Sequence, residues 1–290
     1  MRRLFLIAGL LALLAVTAHA ENSTVSVLDF GETPFAKKTA ANLREHLRSK
    51  VELLVADADL SRAAAKGIGY SGSLNLSVNE ARDLGAALAT NFYILGDAQT
   101  LRRSASARPV YYESYCSIFV VSARTGRLIL WDRPSYDSDK PSDAEDRLSK
   151  HFSTETVSRT VIAIRRARED ERAEKTIIDP NSEPLIEEAP DDEKVAAVQG
   201  FRLPRPYRRL RPDYPESAAR AEVEGTVDVL VDVGADGEVG RVQIARWAGF
   251  GLDEVTVATV RQMHFFPAMK NGSPIPMRVL LRYNFRKPPR

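Results

Sequence analysis

The sequence predicts an α/β domain followed by a small α+β domain with the order strand, strand, helix, strand. From residue 24 to about 172, short β-rich runs alternate with helical periods, the arrangement of an α/β layer domain. From about residue 205, two alternating strands meet at an Asp-Gly turn and are followed by a helical period and a third strand. The stretch between the two patterns is charged and rich in proline, so we expect two domains and a linker.

The composition is that of a globular protein without a strong overall charge. Of 290 residues, 44% are hydrophobic and 28% are charged, and the formal net charge is +2. No global field attracts nucleic acid, so we expect no nucleic-acid partner and look for local binding sites.

The first twenty residues have the pattern of a secretory signal. Arg2 and Arg3 precede an apolar run over residues 4–16, and small residues follow up to Ala20. The run has 13 residues, whereas a membrane-spanning helix needs roughly 20. We expect cleavage after Ala20 and a periplasmic product. The alternative is an uncleaved anchor in the inner membrane, which is the only case in which we expect membrane contact.

Helices of the first domain, predicted over residues 21–170, are indicated by apolar stripes and capping signals. A stripe at four-residue steps comprises Phe35, Thr39, Leu43 and Leu47, with Ala36 and Ala40 beside it. Capping-box spacing occurs at Ser77 with Glu80 and again at Ser142 with Glu145.

Strands of this domain are predicted at residues 25–30, 52–55, 92–96, 111–121 and 128–131. The last two are joined by a turn at Arg124-Thr125-Gly126. The Leu84-Gly85 step, Gly96 and Thr125-Gly126 resemble landmarks of the amino-terminal domain of TolB and of CsgG-type envelope domains. The resemblance implies the same α/β fold over residues 24–170.

Residues 171–204 are predicted to be a charged, proline-containing linker. Residues 179–193 hold seven acids and no base, and residues 202–211 hold five arginines and no acid. We interpret this region as solvated. An alternative is that the arginines contact an anionic surface.

The last domain, residues 205–290, has the clearest pattern. Its first strand places four valines on one face, Val227, Val229, Val231 and Val233. Asp236-Gly237 predicts a hairpin turn. The predicted helix carries Leu252, Val255, Thr259 and Met263 on one face, and the last strand covers residues 277–285.

These landmarks resemble the TonB carboxy-terminal domain over about the last 80 residues. The matching steps, in order, are Tyr214-Pro215, Glu224-Gly225, Asp236-Gly237, Leu252-Asp253, Pro267-Ala268 and Asn271-Gly272-Ser273-Pro274. The chain departs from the family at Arg246-Trp247-Ala248-Gly249, where a small polar step is usual. Trp247 is either a core residue or a contact residue.

The resemblance implies that the domain captures extended segments of outer-membrane or periplasmic proteins, including TonB-dependent transporters, by adding them as a strand to its sheet. The last strand would be the open border. We therefore predict partner-binding residues at the following positions: Arg278, Leu280, Arg282 and Asn284 on the outward face, with Tyr214 and Pro215 at the domain entry. Protection of the border against unspecific pairing is the alternative role of the two arginines.

Nothing in the sequence predicts an enzyme, a metal or a cofactor. The histidines His19, His46, His151 and His264 lack metal-ligand spacing. Cys116 is expected to be a buried thiol, and Asp57 is expected to cap or turn the chain.

Three functional hypotheses follow from the sequence. The first is a periplasmic binding protein that acts by strand addition. The second is a membrane-anchored TonB-type energy transducer, and the third is an envelope or cell-wall assembly factor that acts through the first domain.

Overall fold

A computed structural model describes residues 22–177, 186–190 and 193–287 of the chain. The predicted signal sequence lies outside the described residues. None of the helices in these ranges combines the length and the apolar character needed to cross a bilayer.

The N-terminal unit is a mixed sheet with helices against it. Its elements are β1 (Ser23–Val27), α1 (Pro34–Arg48), β2 (Leu53–Val55), α2 (Ala58–Gly67), α3 (Val78–Leu88), β3 (Phe92–Ala105), β4 (Arg108–Ser122), β5 (Leu128–Asp132), β6 (Ser135–Ser138), α4 (Pro141–His151) and α5 (Val157–Ile177). The strand order is β2-β1-β3-β4-β5, with β6 also paired to β4. β1 is parallel to both of its neighbours, and the other pairs are antiparallel. The α/β class predicted for this region is confirmed.

The predicted helix signals are confirmed at two helices and wrong at a third. Helix α1 buries Ala36, Thr39, Ala40, Leu43 and Leu47, as its stripe predicts. Ser77 and Glu80 form the reciprocal capping box at the start of α3. No such box forms at α4, which begins at Pro141 without a side-chain cap, while Glu145 instead accepts a hydrogen bond from Thr100 at 2.9 Å.

The hairpin of β3 and β4 is longer than the sequence predicts. The predicted strands cover residues 92–96 and 111–121, whereas the observed strands also include residues 97–105 and 108–110, most of which have polar side chains. They pair nevertheless, since cross-strand contacts such as the ion pair between Arg103 and Glu113 at 2.9 Å take the place of apolar burial. The predicted turn at residues 124–126 does join β4 to β5.

The C-terminal unit contains β7 (Glu187–Glu188), α6 (Glu193–Val198), β8 (Phe201–Arg202), β9 (Arg205–Pro206), α7 (Glu216–Ala221), β10 (Gly225–Val233), β11 (Val239–Arg246), α8 (Leu252–Val260), β12 (Phe265–Phe266), β13 (Ala268–Lys270), β14 (Ser273–Ile275) and β15 (Met277–Phe285). Its main sheet has the order β11-β10-β15-β7. Strand β10 is therefore flanked by β11 on one side and β15 on the other, both antiparallel to it. The predicted strand, strand, helix, strand order is confirmed.

The helix α8 packs on β10 and β11, but its buried face differs from the prediction. It buries Leu252, Thr256 and Val260 rather than Val255 and Thr259. The helix ends at Val260, so Met263 reaches the core from the turn beyond it. A nine-residue helix gives too few periods to fix its buried face from the sequence.

The predicted solvated linker is wrong for part of its length. Helix α5 continues to Ile177, and β7 and β8 pair with strands of the C-terminal unit. Ala196 is buried as well. Short backbone pairing of this kind leaves no apolar periodicity in the sequence, so the charge pattern alone indicated a solvated segment.

The two units share one hydrophobic core. Trp247 is 1% exposed and stacks on Phe119 of β4 at a ring-centroid distance of 5.8 Å. The indole N–H of Trp247 donates to the carbonyl of Gly126 at 3.1 Å. Phe250 meets both Phe119 at 5.6 Å and Trp131 of β5 at 5.4 Å. The loop after β11 thus inserts two aromatic side chains into the N-terminal unit.

Candidate partner-binding border of the C-terminal sheet

The outer border of β15 carries the backbone groups that a ligand strand needs. Along a strand, consecutive residues direct their backbone groups alternately toward the two sides. The carbonyl of Arg278 accepts a hydrogen bond from Ala189, on the side away from β10, at 2.8 Å. The backbone groups of Leu280, Arg282 and Asn284, at two-residue steps from Arg278, therefore point to the same outer side.

This border is partly covered by the chain itself. Strand β7 runs parallel to β15 and pairs with Met277 and Arg278. The sequence predicts an unpaired border along the whole strand, and that prediction is wrong for these two residues. Within the described ranges no strand pairs with the outer side of residues 279–285. Arg209 donates to the carbonyl of Arg282 at 3.1 Å, which is a side-chain contact rather than a strand.

The two border arginines are held by carboxylates of β10. Arg278 forks onto Asp232 at 2.6 and 2.9 Å, and Arg282 forks onto Asp228 at 2.7 and 2.9 Å. The hydrogen bonds that Arg282 donates to Asp228 raise the pKa of Arg282. Both aspartates are buried, so each fork neutralises a desolvated charge and ties β10 to β15.

Leu280 and Asn284 stand on the same face as the arginines. The Leu280 side chain is 50% exposed, the most open apolar side chain of the strand. Asn284 accepts a hydrogen bond from the hydroxyl of Thr226 across the pair at 2.9 Å. A ligand strand would find one apolar contact between two arginines that are held in ion pairs.

Tyr214 and Pro215 lie at the start of α7 and take structural roles there. The Tyr214 hydroxyl donates to the carbonyl of Val223, and its ring lies 6.4 Å from that of Phe285. Burial raises the pKa of Tyr214. Pro215 is the residue that precedes the first turn of α7. The structure places Tyr214 near the end of β15 and Pro215 beside Gly251, and neither contact lies on the outer border of β15.

Sequence reasoning missed the roles of two residues: Asn75 joins the two units, and Asp253 holds the loop that follows β11. The Asn75 side chain donates to the carbonyls of Thr226 at 2.8 Å and Trp247 at 2.6 Å, and it accepts from the Thr226 N–H at 3.0 Å. The Asp253 carboxylate accepts from the N–H groups of Ala248 and Gly249 at 2.9 and 2.8 Å. Asn75 lies in a loop without any periodic signal, whereas the Leu252-Asp253 step marked Asp253 only as a family landmark.

Catalytic and metal-binding groups do not gather in the described residues. No cluster of three potential metal ligands occurs there. Cys116 is buried, and burial raises its pKa well above the ordinary value, so the thiol stays protonated. Asp57 caps α2, as predicted.

In some small protein-interaction domains, an uncovered border strand binds extended segments by strand addition. Residues 211–286 match the family model of the Gram-negative bacterial TonB protein C-terminal region. This part of the chain is a TonB C-terminal domain, and domains of this family are protein-interaction domains.

Solved structures of low identity accompany this match. The TonB C-terminal domain of Pseudomonas aeruginosa is 23% identical, with a TM-score of 0.26, over 30% of this chain and 89% of that one. A hypothetical protein of Chlamydia trachomatis is 12% identical, with a TM-score of 0.34, over 47% and 96%. A lipoprotein of Neisseria meningitidis is 11% identical, with a TM-score of 0.32, over 48% and 98%. No curated protein matches the chain.

Proposed function

We propose that this protein is a non-enzymatic envelope protein of the periplasm that binds an extended segment of a partner protein by strand addition to β15. The backbone groups of Leu280, Arg282 and Asn284 carry this proposal, because they face away from β10 and no described strand pairs with them. A bound segment would continue the sheet beyond the point at which β7 ends.

The family match narrows the class of partner. TonB C-terminal domains interact with outer-membrane transporters, so a periplasm-facing segment of an outer-membrane protein is the partner we propose. Extended segments gain affinity from the main chain and specificity from alternate side chains. Here the alternate contacts are Leu280 at the centre and the forked arginines on either side.

The N-terminal unit enters the proposal as the support of the binding domain. Its TolB-like or CsgG-like character remains a prediction from the landmarks Leu84-Gly85, Gly96 and Thr125-Gly126. The shared core around Trp247 and Phe119 holds the C-terminal sheet in a fixed position relative to the first sheet.

Export of the protein is testable at its N-terminus. We expect the mature protein, isolated from the periplasmic fraction of a Gram-negative host, to begin at Glu21. Edman degradation or intact mass measurement checks this. A chain that keeps residues 1–20 and sediments with the inner membrane would instead favour the anchored alternative.

A proline in place of Leu280 should abolish partner capture without unfolding the protein. The N–H group of Leu280 points to the outer side, so its loss spares the ladder to β10, and proline is tolerated where a border N–H faces solvent. The experiment compares envelope proteins captured by the wild-type chain and by Leu280→Pro, by quantitative mass spectrometry. We expect a partner that binds the wild type to be lost by about tenfold or more.

The matched control is Leu280→Ala, which keeps the N–H and removes only the side chain. We expect this variant to retain the partner with a smaller loss of affinity. Unchanged capture by Leu280→Pro, with circular dichroism identical to that of the wild type, would contradict strand addition at this border.

A further inference from the structure

A second open groove lies on the other side of β10, where the two units meet. We name it the interdomain groove. It is bounded by β5 and the turn before it, by β11, and by α8, and it has a volume of about 1100 Å3. Pockets for small molecules usually measure roughly 300–1,000 Å3, so the interdomain groove has room for a length of polypeptide.

Both long walls of the groove are border strands. β5 ends the N-terminal sheet and β11 ends the C-terminal sheet, and in the described part of the chain no strand pairs with the outer side of either. Such borders offer unpaired backbone donors and acceptors to an added strand. The side chains of residues 242–246 are half-buried, so this border forms a wall rather than a projecting ridge.

The chain itself shows that the β11 border accepts antiparallel pairing. Ser77 forms an isolated antiparallel bridge with Arg246, and the N–H of Trp247 donates to the carbonyl of Leu76 at 3.2 Å. This pairing stops at the end of β11. No described strand pairs with the outer side of residues 242–245, which line the groove.

The lining of the groove carries an excess of positive charge. Five arginines and three acidic residues line it. The arginines are Arg82, Arg124, Arg127, Arg241 and Arg261, and the acidic residues are Glu174, Asp253 and Glu254. Among the described residues, no acid lies within ion-pair distance of Arg82 or Arg261. A hydrogen bond from Arg127, with the charges of Arg124 and Arg241, lowers the pKa of Glu174.

The floor of the groove is apolar and aromatic. The half-buried side chains of Trp131 and Val257 line it, together with Leu128 and Ile129 of β5, and the buried Trp247 adjoins it. An extended segment presents alternate side chains to opposite faces. A segment with acidic residues at one set of positions and apolar residues at the other matches the arginines and the floor together.

We propose that the interdomain groove binds an extended, acidic segment of a partner protein, aligned antiparallel to the border of β11. The segment continues the pairing that Ser77 begins, places its carboxylates near Arg82 and Arg261, and rests its apolar side chains on Trp131 and Leu128. This site is separate from β15, because β11 and β15 flank β10 on opposite sides.

Intrinsic fluorescence tests the proposal directly, because the chain has two tryptophans, Trp131 and Trp247, and both line the groove. The full chain is titrated with a blocked seven-residue peptide of alternating valine and glutamate, and separately with the matching valine and lysine peptide. We expect a saturable change in tryptophan emission with the glutamate peptide. The lysine peptide is expected to bind at least about tenfold more weakly, because like charges oppose it.

Variants in the interdomain groove and on the border of β15 locate the bound peptide. Arg261→Glu and Arg82→Glu should each weaken the glutamate peptide by about tenfold or more, whereas Leu280→Pro on β15 should leave its affinity unchanged. Circular dichroism melting confirms that each variant is folded. The proposal is overturned by the absence of an emission change, by equal binding of the two peptides, or by loss of binding in Leu280→Pro alone. The last result would place the peptide on β15 and leave the proposed function standing.

Discussion

Replacing Trp247 with alanine is expected to lower the free energy of unfolding by about 3–5 kcal/mol, the range for removing a large aromatic side chain from a core. The indole is 1% exposed, stacks on Phe119 and donates to the Gly126 carbonyl at 3.1 Å. Its loss opens a cavity where the two units meet and leaves that carbonyl without its partner. We expect the melting temperature to fall by roughly 10 °C.

The same substitution should also reduce the cooperativity of unfolding. Because Trp247 lies between the units, we expect calorimetry of the variant to resolve two transitions in place of one. Tyr207→Ala is the matched control, since Tyr207 is an aromatic residue that is 59% exposed. We expect it to change stability by no more than about 0.5 kcal/mol. A Trp247→Ala chain that melts with the wild type would show that the units do not depend on this contact.

Replacing Asp253 with alanine is expected to destabilise the protein by about 2–4 kcal/mol near pH 4, since each buried N–H left without an acceptor costs roughly 1–3 kcal/mol. The two N–H groups concerned belong to Ala248 and Gly249, in the loop that carries Trp247 and Phe250. Chemical denaturation of both proteins measures the difference. Glu254→Ala, the exposed neighbour in the same helical turn, should have little effect.

The cost of removing Asp253 should depend on pH in a defined direction. Burial raises the pKa of Asp253 to about 6 and outweighs the two N–H bonds, which act in the opposite direction. The folded state therefore holds a proton that the unfolded state releases near pH 4, and this contribution to stability is lost as the pH rises to about 6. The difference between wild type and Asp253→Ala should shrink by roughly 2 kcal/mol between pH 4 and pH 7. A difference independent of pH would mean that the carboxylate is ionised throughout.

The regular parts of the C-terminal unit could be predicted from the sequence because one physical signal fixes each of them. The four alternating valines define the buried face of β10, and all four are at most 1% exposed. Asp236-Gly237 sets the hairpin, with Gly237 at a φ of 85°. The boundaries of β15 follow from alternation alone and agree with the structure.

The parts of the fold that the sequence does not predict depend on contacts between residues far apart in the chain. Strand β7 pairs through its backbone and carries two glutamates, so it resembles solvated linker in sequence. The contact of the two units depends on Asn75, whose side chain meets residues about 150 and 170 positions away. Neither feature has a local pattern, since both are set by tertiary pairing.

The sequence predicts the strand that carries the candidate site, but it does not predict the residues that contact this strand. Alternation placed Leu280 and Arg282 on the outward face of the last strand, and the resemblance supplied the mode of binding. The forks onto Asp228 and Asp232 require the register of β10 with β15, which the sequence does not state. The groove along β11 is formed by residues of both units, so no local sequence pattern predicts it.

The interlocked aromatic core has an evolutionary consequence. Gly249 approaches Phe119 so closely that a Cβ atom there would lie 2.7 Å from the ring, and Trp247 fills the remaining space. A substitution at position 119 in one unit therefore requires a compensating substitution at position 247 or 249 in the other unit. Among descendants of the same ancestor, substitutions at position 119 should be inherited together with substitutions at 247 and 249, and recombination that exchanges only one half should yield chains that fail to fold.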